Sequence, residues 1–231
     1  AGYNIFKEHA ATYHELNISK KYFSWGWKVD KKIIPVGNYL LNANKVKFSS
    51  NKKILIVLPV ASHFTRNAEI IYNDSFSEDI IEFQSFINNT DIRLLNNIEI
   101  RPHPETKRRE LDFLNFISFD RQKIKILSPN VKFDRLIKNY GLTIFNYLST
   151  EFFKALTLNT PCMLVLNKKV FDECVINEVK SDFKKLSEIG IFHTNGISLA
   201  KQIDLASDNF ENWWNNEKSI KIKNEFCEKY S

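Results

Sequence analysis

The sequence feature that most constrains the fold is an alternation of short apolar runs with amphipathic stretches from residue 52 onward. The runs "KKILIVLP", "NNIEIRP", "LTIFNYLST" and "TPCMLVLN" have the apolar character of strands buried on both faces of a sheet. Between them stand stretches with helical spacing, such as "SEDIIEFQSFINN" and "TEFFKALTLN". This alternation predicts an α/β fold: a Rossmann-like parallel sheet with helices on both faces.

The regularity of the pattern predicts how the chain divides. Residues 51–195 carry the alternation and are expected to form one Rossmann-like domain. Residues 196–231 are expected to be helices, the last of them "FENWWNNEKSIKIKNEFCEKY", that cross back toward the N-terminal side. Residues 1–50 are less regular and too short to be a domain. They are interpreted as the tail end of an upstream domain, followed by a connector.

Several shorter stretches carry predictions of their own. We expect "ETKRRELDFLNFIS" and "VKFDRLIKNYG" to be helices, and "QKIKILSP" to be an edge strand. In the N-terminal part "YFSWGWK" predicts a strand that turns Trp25 and Trp27 to the same face, where they pack in the core. The adjacent Trp213 and Trp214 are expected to pin the C-terminal segment to the body of the protein.

Composition narrows the possible function classes. Hydrophobic residues at 43% and aromatic residues at 13% indicate a packed globular protein. The net charge of +6 suits an anionic ligand or an acidic membrane surface, but the basic residues stand in ones and twos, as on an ordinary solvated surface. No apolar run approaches the ~20 residues of a membrane-spanning helix. The 3 cysteines lack metal-ligand spacing and predict a reducing, cytoplasmic location.

Polar residues follow three of the predicted strands at the point where each strand ends. The loops are "PVASHFTR" (59–66), "RPHPE" (101–105) and "NYLSTE" (146–151). Because the carboxyl ends of parallel strands share one edge of a sheet, where ligands bind in such folds, we expect the three loops to meet in one site. The residues assigned to that site are Arg66, Arg101, His103, Pro104, Asn146, Tyr147, Ser149, Thr150 and Glu151.

The residue types of these loops indicate an anion site. Ser149 and Thr150 stand where a strand turns into a helix, so their hydroxyls and the free N–H groups of the helix are suited to a phosphate. The alternative is that Ser149 only caps its own helix. Arg101 supplies a positive charge, and two prolines stiffen the loop around His103.

The scarcity of glycine excludes two nucleotide-binding classes. With 6 Gly the chain has no Gly-rich phosphate loop of the dinucleotide-binding or P-loop type. The readings as a dehydrogenase or a P-loop ATPase therefore fail. We expect a nucleoside monophosphate or diphosphate rather than a redox cofactor, and no cofactor is predicted.

A second polar cluster, "KEHAATYHELN", contains Glu8, His9, His14 and Glu15. Its histidines stand five residues apart rather than the four of the HExxH zinc motif, so no metal is predicted. We interpret His14 or Glu15 as a catalytic base that deprotonates an acceptor hydroxyl. Capping and surface roles are the alternative.

Taken in order, "HELNISKKYFSWGW", "IPVGN", "ILIVLP", "RPHP", "YLSTEFFKAL", "TPCMLV" and a late "WW" resemble the transferases of bacterial surface-carbohydrate loci, those of O-antigen and capsule. The resemblance covers nearly the whole chain. It implies a GT-B glycosyltransferase, of which residues 51–195 and the C-terminal helices would be the C-terminal, donor half. Residues 1–50 would then be the end of the acceptor domain and the interdomain connector.

The His-Pro loop and the Ser-Thr turn are also similar to those of bacterial sialyltransferases and Kdo transferases. That similarity implies that Arg101, His103 and Pro104 approach the nucleotide of a CMP-linked acidic sugar, and that Ser149 and Thr150 approach its phosphate. It further implies a metal-independent reaction and a glycan or glycolipid acceptor. The location it implies is the cytoplasm, with peripheral contact at the inner membrane.

Three other readings stay open. The first is a CDP-glycerol-type phosphotransferase, whose strand-to-helix turn typically reads Asp-Tyr-Ser-Ser. Here the turn begins with Asn146 instead of an acid and has Leu148 inserted before Ser149, which argues against that family. The second is a nucleic-acid-binding module, which the scattered charges disfavour, so no nucleic-acid partner is predicted. The third is a non-catalytic domain that keeps only the fold.

Overall fold

The structure is a computed structural model that describes residues 5–7, 10–28, 30–37, 51–59, 76–104, 113–120 and 122–230. Its strands are β1 (Tyr22–Ser24), β2 (Ile33–Pro35), β3 (Ile54–Val57), β4 (Ile98–Arg101), β5 (Lys125–Ile126), β6 (Leu142–Phe145), β7 (Cys162–Val165) and β8 (Phe192–His193). Its α-helices are α1 (Ala10–Ile18), α2 (Phe76–Asn89), α3 (Ile92–Leu95), α4 (Phe133–Leu136), α5 (Thr150–Thr157), α6 (Asn177–Glu188), α7 (Gly196–Ala206), α8 (Phe210–Trp214) and α9 (Glu217–Tyr230). Short 3₁₀ helices span Phe113–Phe116 and Ile137–Asn139, and a π-helix spans Val170–Cys174.

Strands β3 to β8 form one parallel sheet in the order β5-β4-β3-β6-β7-β8. The first of these strands lies in the centre, and the order of connection reverses between β3 and β6, as in doubly wound nucleotide-binding folds. The predicted Rossmann-like parallel sheet is therefore confirmed. The stretch "QKIKILSP" supplies β5 at one edge of the sheet, also as predicted.

Apolar side chains alternate along the strands and build a separate core on each face of the sheet. On one face Val57 and Phe145 pack with side chains of α5, α6 and α9. On the other face Ile56 and Ile144 pack with side chains of α2 and α7 and with the 3₁₀ helix at 113–116. Helices thus cover both faces, as the continuous apolar runs predicted.

The close contact between α2 and α7 depends on Gly196. A Cβ at this position would lie 2.0 Å from the carbonyl oxygen of Glu82, so only glycine lets α7 begin against the backbone of α2. The N–H of Gly196 also donates to the Glu82 carboxylate at 2.7 Å. This contact fixes α2 and α7 as one layer on their face of the sheet.

One predicted helix proves shorter than expected. The stretch "VKFDRLIKNYG" contains only α4 and the 3₁₀ helix at 137–139, because Tyr140 returns to an extended backbone and donates its hydroxyl to Glu99 on β4. Within "ETKRRELDFLNFIS" the described part holds the 3₁₀ helix at 113–116, and residues 105–112 lie outside the described residues.

The predicted last helix is divided into α8 and α9. The break occurs because Asn216 caps α9: its side-chain oxygen accepts a hydrogen bond from the N–H of Ser219 at 2.9 Å. The expected role of the paired tryptophans is confirmed. Trp214 is fully buried and its Nε1 donates to Asn159 Oδ1 at 2.9 Å, while Trp213 donates to the carbonyl of Ile189 at 2.9 Å.

In the N-terminal part, β1 and β2 form a parallel two-stranded sheet. The prediction that Trp25 and Trp27 share one face of a strand is wrong, because β1 ends at Ser24. Gly26 then adopts φ +139° against the end of α9, where a Cβ would lie 2.8 Å from the Lys229 carbonyl oxygen. The division into residues 1–50, 51–195 and 196–231 stays a prediction.

Candidate functional site

A cleft of about 660 Å³ opens at the carboxyl edge of the six-stranded sheet. Its walls come from the end of β4 and the loop after it, from the start of α4, and from the turn between β6 and α5. The volume falls in the range of roughly 300–1,000 Å³ that is usual for small-molecule sites. The cleft adjoins the point where the strand order reverses, which is the usual ligand position in doubly wound sheets.

Arg101, the last residue of β4, lies at the floor of this cleft and is only 4% exposed. Its Nε donates to the carbonyl of Val131 at 2.9 Å, which fixes the plane of the guanidinium. Its Nη1 lies 3.5 Å from Glu151 Oε1 and makes no hydrogen bond, although it is buried. A guanidinium in this state retains donor capacity for an anionic ligand.

Glu151, in the first turn of α5, is held between two side chains. One carboxylate oxygen faces Arg101, and the other accepts a hydrogen bond from the Tyr147 hydroxyl at 3.3 Å. Burial raises the pKa of Tyr147 well above its usual value, and the neighbouring Glu151 charge raises it further. The phenol therefore stays protonated and acts as a donor at neutral pH.

The turn between β6 and α5 presents the start of that helix to the cleft. Ser149 is the N-cap of α5: its Oγ accepts a hydrogen bond from the N–H of Phe152 at 3.2 Å. The capping role considered for Ser149 is therefore confirmed. A hydroxyl that accepts one hydrogen bond still has a hydrogen to donate, and Ser149, Thr150 and Glu151 all line the cleft.

Further charged side chains complete the walls. Lys154 of α5 and Asp134 of α4 form an ion pair at 2.7 Å on one side of the cleft. Lys132 also lines the cleft and is exposed. Lysines and an arginine thus outnumber the carboxylates in the lining, so the electrostatic environment favours an anion.

Asn146 follows β6 and is 5% exposed. Among the residues that the structure describes, the buried side-chain atoms without a hydrogen-bond partner are Nη1 of Arg101 and both Nδ2 and Oδ1 of Asn146. Such atoms are rare in folded proteins, and each one needs an explanation. Both residues stand at the carboxyl ends of strands on either side of β3, next to the switch in strand order.

The structure brings most of the predicted site residues together. The cleft is lined by Arg101, His103, Tyr147, Ser149, Thr150 and Glu151, whereas Pro104 and Asn146 are not part of its lining. Arg66, Glu8 and His9 lie outside the described residues. The part that these residues play in binding stays a prediction.

The two candidate bases lie elsewhere. His14 is exposed on α1, and Glu15 lines a different pocket together with Tyr22, Trp25 and Trp27. Neither lines the cleft at the carboxyl edge of the sheet. Their catalytic role stays a prediction.

The sequence interpretation missed Lys132, Asp134 and Lys154, which also line the cleft. For Lys132 and Asp134 the signal was present, because the segment after β5 begins at the same sheet edge as the other loops, and Lys154 lies one helical turn after Thr150. β5 is a two-residue edge strand, and no site residue is predicted in the loop after it.

Two further observations concern the described ranges. Within them, no group of three or more His, Cys, Asp and Glu side chains is placed to hold a metal ion. No helix found there combines the length and the apolar character needed to cross a membrane.

Comparison with known proteins gives similar solved structures and one family. The spinosyn rhamnosyltransferase SpnG is similar with a TM-score of 0.42 and 13% sequence identity, over 85% of this chain and 46% of that protein. This chain thus spans less than half of the length of SpnG. No curated protein matches the sequence significantly. The model of the LIC12162 family of transferases matches residues 1–231, and the chain therefore belongs to that family.

Proposed function

We propose that the chain binds the nucleotide of an activated sugar, as the donor half of a GT-B glycosyltransferase that builds cell-surface polysaccharide. Membership of a transferase family and a cationic cleft at the carboxyl edge of a doubly wound sheet support this function. The donor proposed is a CMP-linked acidic sugar. Its support is the pairing of a His-Pro loop with a Ser-Thr helix start, similar to the pairing in sialyl- and Kdo transferases.

The observation that carries the proposal is the buried Nη1 of Arg101, which makes no hydrogen bond and lies beside the N-terminus of α5. Leaving a buried donor unsatisfied costs roughly 1–3 kcal/mol, more for a charged group. A phosphate oxygen in the cleft would accept from that N–H and from the start of α5 at once. The bound ligand would thus complete the hydrogen bonding that the protein alone leaves open.

The proposed reaction uses the same groups. An acceptor hydroxyl oxygen forms a bond to the anomeric carbon of the sugar, the bond from that carbon to the phosphate oxygen breaks, and CMP leaves with the electron pair. Arg101, His103 and the N-terminus of α5 stabilise the charge that grows on the departing phosphate. His14 or Glu15 takes the proton of the acceptor hydroxyl. No metal or cofactor takes part in this scheme.

The proposed setting follows from the proposed substrates. The acceptor is a glycan or a glycolipid, and the enzyme works in the cytoplasm, in peripheral contact with the inner face of the membrane. The alternative as a CDP-glycerol-type phosphotransferase is disfavoured because Asn146 replaces the acid of that family's turn. Preference for CDP over CMP in the test below would reverse this choice.

The test is a thermal shift with CMP, CDP, UDP and GDP, followed by calorimetry with the best ligand. Saturating CMP is expected to stabilise the native state by about 3 kcal/mol at 100 times Kd, which raises the melting temperature by about 5–10 °C. The substitution His103→Ala is expected to weaken CMP binding about tenfold. Asn130→Ala, on an exposed turn, is the control and leaves the affinity unchanged.

Unchanged CMP affinity in His103→Ala would remove the histidine from the site. Absence of any shift with all four nucleotides would favour a non-catalytic domain. A complex with DNA or RNA in a gel shift at physiological salt would instead favour the nucleic-acid-binding alternative.

A further inference from the structure

A second pocket, of about 240 Å³, lies between α1 and the end of β1. Its lining consists of Glu15, Tyr22, Phe23, Ser24, Trp25 and Trp27, and we call it the aromatic pocket. It shares no lining residue with the cleft at the carboxyl edge of the sheet. The proposed donor site therefore does not account for it.

Aromatic rings dominate this pocket. The rings of Tyr22 and Trp27 lie 5.6 Å apart between centroids and are tilted by 37°. Trp25 is partly buried, and Phe23 is 63% exposed at the rim. The two rings contact each other, and together with Trp25 and Phe23 they give the pocket an aromatic lining, which suits the flat C–H face of a sugar ring.

Glu15 places a carboxylate beside this aromatic lining. Its Oε2 accepts a hydrogen bond from the Tyr22 hydroxyl at 3.0 Å, which fixes its orientation. A carboxylate has about four lone-pair sites, so it keeps the capacity to accept a hydrogen bond from a ligand hydroxyl. An oriented acceptor next to aromatic surface is the combination that a neutral polyhydroxylated ring requires.

Size and charge restrict the ligand further. The volume is below the roughly 300–1,000 Å³ of a drug-sized site, which leaves room for one sugar ring but not for a nucleotide. Among the residues that the structure describes, the lining contains a carboxylate and no lysine or arginine, so an anionic ligand is disfavoured. The rival ligand is a quaternary ammonium group, which aromatic cages bind through cation–π contacts.

We infer that the aromatic pocket binds one neutral sugar ring, with Trp25 as the stacking surface and Glu15 as the acceptor for a ring hydroxyl. Insofar as this ring belongs to the acceptor glycan, the inference rests on the function proposed above. Glu15 is then the candidate base that touches the acceptor. His14 does not line the pocket.

The test uses ¹⁹F NMR of protein labelled with 5-fluorotryptophan, which reports on all 4 tryptophans separately. The probes are glucose, galactose, mannose, N-acetylglucosamine, N-acetylgalactosamine and, as the rival, choline, each titrated to about 10 mM because single rings bind with millimolar Kd. At least one sugar is expected to shift the Trp25 and Trp27 signals. The signals of Trp213 and Trp214, which pack against the body, are the internal control and stay in place.

Variants identify the contacts. Trp25→Ala is expected to abolish the sugar-induced shift of Trp27, and Glu15→Gln to weaken sugar binding about fivefold. Phe23→Ala is expected to weaken it as well, and it removes a side chain that is 63% exposed, so loss of folding does not complicate the result. All three variants are expected to bind CMP as the unmodified protein does.

Each other outcome is decisive. Shifts with choline alone would overturn the inference in favour of an ammonium site, and no shift with any probe would overturn it outright. Sugar binding without CMP binding would leave the aromatic pocket standing and remove the proposed donor function. CMP binding without sugar binding would overturn the inference about the aromatic pocket and leave the proposed donor function standing.

Discussion

Glu99 and Arg101 stand two residues apart on β4 and on the same side of the strand, and they are 8% and 4% exposed. The carboxylate of Glu99 has a complete set of partners: it accepts from Lys53 Nζ at 2.8 Å and from the Tyr140 hydroxyl at 2.5 Å. Arg101 has one hydrogen bond, and its buried Nη1 makes none, although Glu151 lies 3.5 Å away. The same strand thus carries one buried charge whose hydrogen-bond partners all come from the protein and one with a donor that makes no hydrogen bond.

The difference in hydrogen bonding between Glu99 and Arg101 follows from the length of β5. The strand pairs with residues 99 and 100 of β4 and stops there, so Lys125 and the chain returning through Tyr140 surround Glu99. Arg101 lies one residue beyond this cover and faces the cleft. A buried charge with every partner in place is explained by structure alone, whereas one with a missing partner at the carboxyl edge indicates a ligand.

The largest expected effect comes from removing the charge of Arg101. Arg101→Gln should weaken CMP binding about 100-fold, roughly 2.7 kcal/mol, because a charged hydrogen bond to phosphate is lost. The melting temperature should fall by a few degrees, because the substitution also removes the hydrogen bond from Nε to the Val131 carbonyl and the contact with Glu151. Calorimetry and a thermal melt measure the two quantities on the same sample.

Arg93→Gln is the matched control, because it removes the same charge from a side chain that is 86% exposed. It should leave CMP affinity within a factor of two, apart from long-range screening. A large loss of stability in Arg101→Gln without loss of affinity would show that Arg101, like Glu99, serves the fold and not a ligand.

A second carboxyl, the partly buried Asp79 in the first turn of α2, has one hydrogen-bond donor in the structure. Asn167 Nδ2 donates to its Oδ1 at 2.6 Å. Burial raises the pKa of Asp79 to about 7, and the nearby charges of Glu78 and Glu82 add to the rise. A raised pKa stabilises the fold fully below the unfolded value near 4 and loses that contribution as the pH rises through 7.

Asp79→Asn should therefore be more stable than the unmodified protein at pH 8, by about 1–2 kcal/mol, and of similar stability at pH 5. The amide keeps the shape and an oxygen for Asn167 but carries no charge. Urea unfolding at several pH values measures the effect. Parallel stability profiles of the two proteins between pH 5 and pH 8 would contradict the assignment.

Glu99 should show the opposite dependence on pH. Burial alone would raise its pKa, but hydrogen bonds from Lys53 and Tyr140 outweigh burial and hold the pKa below the usual value. A depressed pKa stabilises the fold above the unfolded value near 4.5, and the stabilisation is lost as the pH falls through the folded pKa. Glu99→Gln should cost about 1 kcal/mol at pH 7, less below pH 4, and leave CMP affinity unchanged.

Much of this arrangement could be predicted from the sequence. Runs such as "KKILIVLP" specify strands buried on both faces, and parallel strands necessarily end at one edge, so Arg101, His103 and Ser149 were expected to lie together. Their position in one cleft follows from the pattern of apolar residues and from the parallel topology of the sheet. The connecting helices were less predictable, because the length of α4 depends on the long-range bond from Tyr140 to Glu99.

The parts of the site that the sequence did not predict also depend on long-range contacts. Lys132 and Asp134 enter the cleft because β5 pairs with β4 for only two residues, and the register of a strand that short is set by tertiary contacts. The aromatic pocket depends on the turn at Gly26. This residue has a φ of +139°, and its backbone packs against the end of α9, far along the chain. Local pattern carries no information on such distant contacts.

Ser149 has both a structural position and a place in the candidate site, since it caps α5 and also lines the cleft. Ser149→Ala should lower the free energy of unfolding by about 1 kcal/mol through loss of the cap and should also weaken CMP binding a few-fold. Ser149→Asp separates the two roles, because aspartate is an equally good cap and its charge suits a helix N-terminus. That variant should keep the stability of the unmodified protein and yet bind CMP at least tenfold more weakly, since two anions would then compete for the start of α5. Thermal melts and calorimetry on both variants decide the matter: if Ser149→Asp binds CMP normally, the N-terminus of α5 does not hold the phosphate, and Ser149 belongs with Glu99 among the residues that serve the fold.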